Sequence, residues 1–467
     1  MSRSRPRSTL PPRSGPVTNG AVRVKPAPEP PGGSSIWRNQ NFLLLWLAQA
    51  ISQTAQNAIW YGIVILVQQR SHSSTQLSLA VLTLIIPSVV FGVLAGVYVD
   101  RWDKRLVLIA TNLIRGAIAL VYGLFGIFEG LPLSLLFLVN FVFSTVGQFF
   151  APAETAMIPA VVPRARLMQA NGLFHLTFTA SQLIGLVILG PLLAKLTGVD
   201  GLFVSMAAAI VLCGGLVWPL PPHHGEHDPS VPASEQEALR GVWQDVRDVG
   251  TFVLRQQIVA LAMVQWTIGA ILGLLVATLV PGFAERLLHV RAEDTVFVMA
   301  PAGVGMVTGT AILNRWGNRW EKHFLVNLGL FTVAACLAAT GAIATVVDVV
   351  TSNAPPLITM PLLGEVSALV PLVMTLALIA GFGFVSIMVP AQTFLQERAP
   401  VVLRGRVFAV QLMLSNFASI VPLLLLGGLA DLIGVDRTLL LIGLLIAVAG
   451  AMSRRLAPGV APWAVPV

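Results

Sequence analysis

Between residues 46 and 60 the chain sets Trp46, Gln49, Gln53, Gln56, Asn57 and Trp60 at intervals that bring all six within roughly one 100° arc of a helix turning about 100° per residue. Amides and indoles do not break covalent bonds; they hydrogen-bond and stack. An unpaired amide is costly in hydrocarbon, so the stripe must face water, a ligand or other helices. Two uses stay open: the wall of a watered cavity, or amide bonds that fasten helix to helix. Amides in successive turns exceed what packing usually requires and favour the cavity. A second face carries Asn140, Ser144, Gly147 and Gln148, and a third candidate surface holds Gln265 and Trp266. His175, Thr179 and Gln182 share a further face, where a lone histidine is more often a packing residue than a proton carrier.

Charged candidates are few. Arg115 stands about ten residues into an apolar run, where an arginine needs partners. Glu154 follows Pro152 at the end of another run, placed to take a proton or to pair with Arg166. No arrangement of nucleophile and base, carboxylate pair or metal-ligating cluster stands out, and no G-x-x-x-x-G-K-S/T loop occurs. Cys213 and Cys336 lie singly in apolar runs. No catalytic, cofactor or metal position is therefore expected.

The elements that must carry these residues are membrane helices. Apolar residues make up 55% of the 467-residue chain and charged residues only 11%, against roughly 25% in an ordinary soluble domain. At about 20 residues per crossing the apolar runs number twelve, six on each side of a polar stretch. The expected domains are a disordered tail over 1–35, a six-helix bundle over 36–220, a linker over 221–257, a second bundle over 258–453 and a tail over 454–467. Leu239 to Arg255 of the linker is amphipathic and reads equally as an interfacial helix or a solvated connector. The net charge of +8 does not point to nucleic acid, because most of the 29 lysines and arginines fall in the tails and alternate loops. That asymmetry predicts a multi-pass protein of the cell (inner) membrane with both termini cytoplasmic.

The halves repeat each other. Pro152-Ala153-Glu154-Thr155, Arg164-Ala165-Arg166 and Gly198-Val199-Asp200 recur in order as Pro390-Ala391-Gln392-Thr393, Arg404-Gly405-Arg406 and Gly434-Val435-Asp436. A parallel repeat of six-helix halves places a substrate site between them near the midplane.

Gly96-x-x-x-Asp100-Arg101-x-x-Lys104-Arg105 resembles the loop between the second and third helices of the major facilitator superfamily. There the pattern usually reads G-x-x-x-D-R-x-G-R-R, and Asp103 takes the place of the last glycine. The segment from Pro152 to Asn171 is similar to the loop after the fourth helix in the macrolide-efflux and enterobactin-exporter branch. The resemblance implies an all-α membrane fold of two six-helix bundles. It also implies a secondary active transporter, not an enzyme, exporting hydrophobic or amphipathic small molecules (a drug, a siderophore or similar) by alternating access. Gly92 and Gly96 are expected to allow close approach of helices. Gly96, Asp100, Arg101, Lys104, Arg105, Arg115, Glu154, Arg164, Arg166, Arg404 and Arg406 are expected to gate. Trp46, Gln49, Gln53, Asn57, Trp60, Asn140, Gln265 and Trp266 are expected to bind substrate, with protons a candidate coupling ion. Relatives commonly carry an aspartate where this chain has Asn57. The second-half counterpart of the gate loop, Asn314 to Arg319, lacks the aspartate. Two other readings fit: a lipid or lysolipid translocator of the same fold, and a membrane sensor or scaffold that has lost transport.

Overall fold

A computed structural model describes residues 36–128, 131–163, 166–223, 235–288, 290–291, 294–350, 357–360, 364–400 and 403–456. The first six helices are α1 (Gln40–Ser71), α2 (Ser74–Arg101), α3 (Lys104–Ile127), α4 (Leu133–Val161), α5 (Leu167–Leu183) and α6 (Gly190–Val217). After the linker helix α7 (Glu235–Arg255) come α8 (Gln257–Leu288), α9 (Thr295–Trp316), α10 (Lys322–Val350), α11 (Val370–Arg398), α12 (Arg404–Ile433) and α13 (Val435–Leu456). Ten segments among the described residues are long and apolar enough to cross a membrane, one of them the 51-residue stretch Leu167–Val217. That stretch reverses at Gly198, whose φ is 79°, so it crosses twice. Polar α1 falls short of that apolar content yet sits inside the first bundle, and with it the crossings number twelve.

Local chemistry explains the turns. Asp103 accepts from Arg105 N–H at 3.0 Å and caps α3, which accounts for an aspartate where a glycine was expected. Gly198 and Gly434 both take positive φ, 79° and 97°, and each precedes by two residues an aspartate whose Oδ1 lies within 2.6 Å of where a Cβ would stand. The Gly-x-Asp repeat is therefore a left-handed turn joining two spans, used once in each half.

Within the first bundle α3 packs on α4 and α6, and α2 on α4; within the second, α9 packs on α11 and α10 on α11 and α13. The halves meet chiefly along α2 and α12. A six-residue π-helical turn, Ile184–Leu189, joins α5 to α6. Gly185 within it lies so close to α1 that a Cβ would meet Asn57 Cβ at 2.7 Å.

Three expectations change. The fourth and tenth apolar runs of the sequence end at Phe150 and Pro390, but their helices go on: α4 runs through Pro152 and Pro159, and α11 through Pro390. Membrane helices tolerate such prolines because neighbouring helices satisfy the freed carbonyls. An antiparallel pair of strands, β1 (Leu357–Met360) and β2 (Gly364–Ser367), precedes α11 in a fold expected to be all-α. Gly92 and Gly96 show no close approach: a Cβ at Gly96 would meet nothing within 4 Å, and one at Gly92 only the Gln148 side chain at 3.8 Å. The tail over 1–35 lies outside the described residues.

Candidate functional site

The amide stripe opens into a hollow of about 270 Å³ bounded by α1, α2, α3 and α4. Gln56, Asn57 and Trp60 form one wall, Ser144 and Gln148 another, and Arg115 the third. Gln56 is exposed although neighbouring helices surround α1, so the hollow is open to solvent. Arg115 is fully buried and held from four directions. Its Nη2 donates to Gln56 Oε1 at 2.6 Å and its Nη1 to Ser52 Oγ at 3.5 Å, while Phe143 and Phe150 lie 4.9 and 5.5 Å from the guanidinium. Stacking on two rings meets the requirement that a membrane arginine be partnered. Ser52 Oγ in turn donates to Asn112 Oδ1 at 3.2 Å, which brings Asn112 into the network. Glu154 is 5% exposed, its Oε1 has no hydrogen-bond partner, and it interacts electrostatically with Arg115.

The two ends of the bundle differ. At one end Asp431, in the last turn of α12, accepts from Ser73 Oγ (2.6 Å), Ser74 N–H (2.8 Å), Thr75 N–H (3.0 Å) and Thr75 Oγ1 (2.6 Å). One carboxylate thus caps the N-terminus of α2 from the opposite half. Beside it Glu285 accepts from Gln68 at 2.7 Å and meets His72 Nδ1 at 3.0 Å, and Arg286 donates to His72 O. Lys195 and Asp294 pair at 3.1 Å. At the other end Asp100 and Arg101 are exposed, and α7 touches both α2 and α12. There Arg406 pairs with Asp245 at 3.2 Å and Asp248 at 3.6 Å. The halves are latched at the Asp431 end and bridged by the linker at the Asp100 end.

The model of the Major Facilitator Superfamily matches residues 45–422, most of the chain and both bundles. The chain belongs to this superfamily. Macrolide efflux protein A of Streptococcus pyogenes is 24% identical over 318 residues, 64% of this chain and 72% of that one. The multidrug efflux pump Tap of Mycolicibacterium fortuitum is 26% identical, over 88% of this chain and 94% of its own. Among solved structures, a bacterial homolog of the human lysosomal transporter Spinster, inward-facing and unoccupied, superposes with a TM-score of 0.67 at 13% identity, over 91% of this chain and 99% of that one. Major facilitator proteins are transporters and not enzymes, and this chain is a multi-pass membrane protein of that kind.

Of the residues expected to bind substrate in this facilitator, Asn57, Trp60 and Asn140 line the hollow. Asn140 is fully buried and spends its amide on Thr83 Oγ1 (2.6 Å) and Ala80 O (3.3 Å), while Tyr122 donates to its Oδ1 at 3.1 Å, so it fastens α2, α3 and α4. Gln53 sits between, its carbonyl accepting from Asn57 Nδ2 at 2.8 Å. Trp46 donates to Thr177 Oγ1 at 2.8 Å and buried Gln49 to Phe174 O at 3.4 Å, both against α5 and apart from the hollow. Gln265 and Trp266 lie in the other bundle, Gln265 donating to Ser453 Oγ at 2.8 Å and Trp266 against Phe408.

The expected gating residues separate likewise. Lys104 is buried and donates to Asp100 O at 2.6 Å, and Arg105 donates to Trp218 O with its guanidinium 5.6 Å from the Trp218 ring. Arg166 begins α5. Arg164 and the Arg404 side chain lie outside the described residues. Sequence reading missed the Asp431 latch, although its signal matches that of Asp100: an acid in the last turn of a span. It also missed Trp37, which packs edge-on against Trp46 at 5.3 Å.

Proposed function

We propose that this facilitator exports hydrophobic or amphipathic small molecules from the cytoplasm by alternating access, with both termini on the cytoplasmic side. The observation that carries the reading is the hollow in the first bundle, where an indole and a phenyl ring stand beside amides and one buried arginine. Apolar surface gives such a wall affinity without demanding shape, and a few amides orient the guest. The named efflux pumps among the relatives support export. With the Asp100 end cytoplasmic, the latch at Asp431 closes the outer side and the chain stands inward-facing. Gly96, Asp100, Arg101 and the arginine loops then form the gate that closes in the opposite state.

Protons are the proposed coupling ion. Glu154 is a buried carboxyl within the field of Arg115, and its protonation changes the charge presented beside the hollow. Purified protein in liposomes, assayed for macrolide and dye flux with and without a pH gradient, tests the reading. Gradient-driven flux of at least one amphipathic compound is expected; its absence across a chemically broad panel overturns the export reading.

A further inference from the structure

A second cavity, about 590 Å³, lies in the other bundle between α8, α10, α11 and α13, at the Asp100 end. The repeat supplies the contrast. In the first bundle Ala153 belongs to a filled apolar core that Ile36, 3% exposed, closes. In the second, the matching Pro390 and Ala391 look onto empty space.

Its lining is that of an amphiphile site. Leu261, Phe331 and Phe394 make apolar walls, and Phe324 and Leu328, 54% and 37% exposed, flank the mouth. Entry from the bilayer meets apolar side chains first. At the rim Lys322 already pairs with Glu397, which leaves Glu321 and Arg454 as charges of opposite sign. Asn327 stands five residues deeper along α10 than Lys322, about 7.5 Å at 1.5 Å per residue. It is 6% exposed; one atom of its amide meets His323 Nε2 at 2.7 Å and the other has no partner. A buried amide oxygen in that position calls for a donor from whatever occupies the cavity.

We propose that this cavity binds one single-chain zwitterionic amphiphile from the adjoining leaflet. Its head spans Arg454 and Glu321, a hydroxyl next to the head donates to Asn327, and its chain runs between Leu261, Phe331 and Phe394. The volume suits one drug-sized guest. The site is separate from the hollow of the first bundle and does not depend on what that hollow carries.

The test uses the full chain in phosphatidylcholine nanodiscs, with binding of radiolabelled palmitoyl lysophosphatidylethanolamine measured at equilibrium. One saturable equivalent per chain is expected. Asn327→Leu and Arg454→Gln should each weaken it five- to tenfold, and the charge-matched Arg437→Gln, at the far end of α13, should leave it unchanged. Glycerophosphoethanolamine, the same head without a chain, should fail to compete, and the anionic lysophosphatidylglycerol should bind about tenfold more weakly. Filling the cavity with Ala262→Trp should abolish binding. If that variant does not fold, the exposed Arg454→Gln still decides. Unsaturable uptake, undiminished binding in both the Asn327 and Arg454 variants, or equal affinity for the anionic lipid overturns the proposal.

Discussion

Arg115 lines the first hollow, and the buried Glu154 interacts with it. A guanidinium that donates to Gln56 and Ser52 while lying between Phe143 and Phe150 uses its planarity as well as its charge. Lysine keeps the charge but cannot stack or donate in a fork. Arg115→Lys is therefore expected to lower flux at least tenfold at normal expression, with fluorescence-detected gel filtration separating lost transport from misfolding. Glu154→Gln holds the carboxamide in a permanently neutral form. Exchange of substrate in the absence of a pH gradient should persist in this variant, while gradient-driven uptake should fall to the passive level; unchanged gradient dependence would remove Glu154 from coupling. Both residues were legible in the sequence, because a charge in an apolar run is conspicuous. Their partners were not. Gln56 sits on the polar stripe, but nothing local marks Phe143 and Phe150 as the rings that flank an arginine in the preceding span.

Among the helices, apolar runs located the spans well and their ends poorly. The fourth and tenth apolar runs end at Phe150 and Pro390, yet α4 continues through Pro152 and Pro159 and α11 through Pro390. The left-handed turns at Gly198 and Gly434 are the clearest case of sequence and geometry agreeing, since one short motif recurs where the same turn recurs. Alanine at either glycine must hold positive φ with its Cβ against an aspartate oxygen, a strain of about 1–3 kcal/mol. Gly198→Ala and Gly434→Ala should each lower Tm by several degrees, as scanning fluorimetry would show. Gly96 should behave oppositely. Its position has open space in this state, so Gly96→Leu should leave Tm unchanged and still depress flux, provided the helices close over it in the other state. The linker shows where periodicity stops being informative. Amphipathicity left Leu239 to Arg255 open between an interfacial helix and a solvated connector; α7 covers it, and packing buries Val249 against the second bundle while Trp243 is left 72% exposed.

At the scale of the molecule α2 and α12 run antiparallel between the halves, and each carries an acid in its last turn. Asp431 at the end of α12 caps α2 in this state. Asp100 at the end of α2 is exposed, while Arg406 near the start of α12 is held by Asp245 and Asp248 of the linker. Rocking the halves would break the first cap and allow a second between Asp100 and the start of α12, so the carboxylates would bias the two access states in opposite directions. Hydrogen bonds to a charged group contribute about 1.5–3 kcal/mol each way of counting, and an exposed carboxylate belongs at the low end, roughly a tenfold change in population. With Cys213 and Cys336 replaced, spin labels at Thr197 and Arg437 report the width of the Asp431 end. Asp431→Asn should enrich the longer distance about tenfold, Asp100→Asn should deplete it, and the double variant should return toward the parent distribution. Substrate affinity should stay within a few-fold in both single variants, because neither residue lines the hollow. Should Asp431→Asn leave the distances where they were, the four hydrogen bonds are a helix cap that happens to cross the interface, and the two access states are set elsewhere.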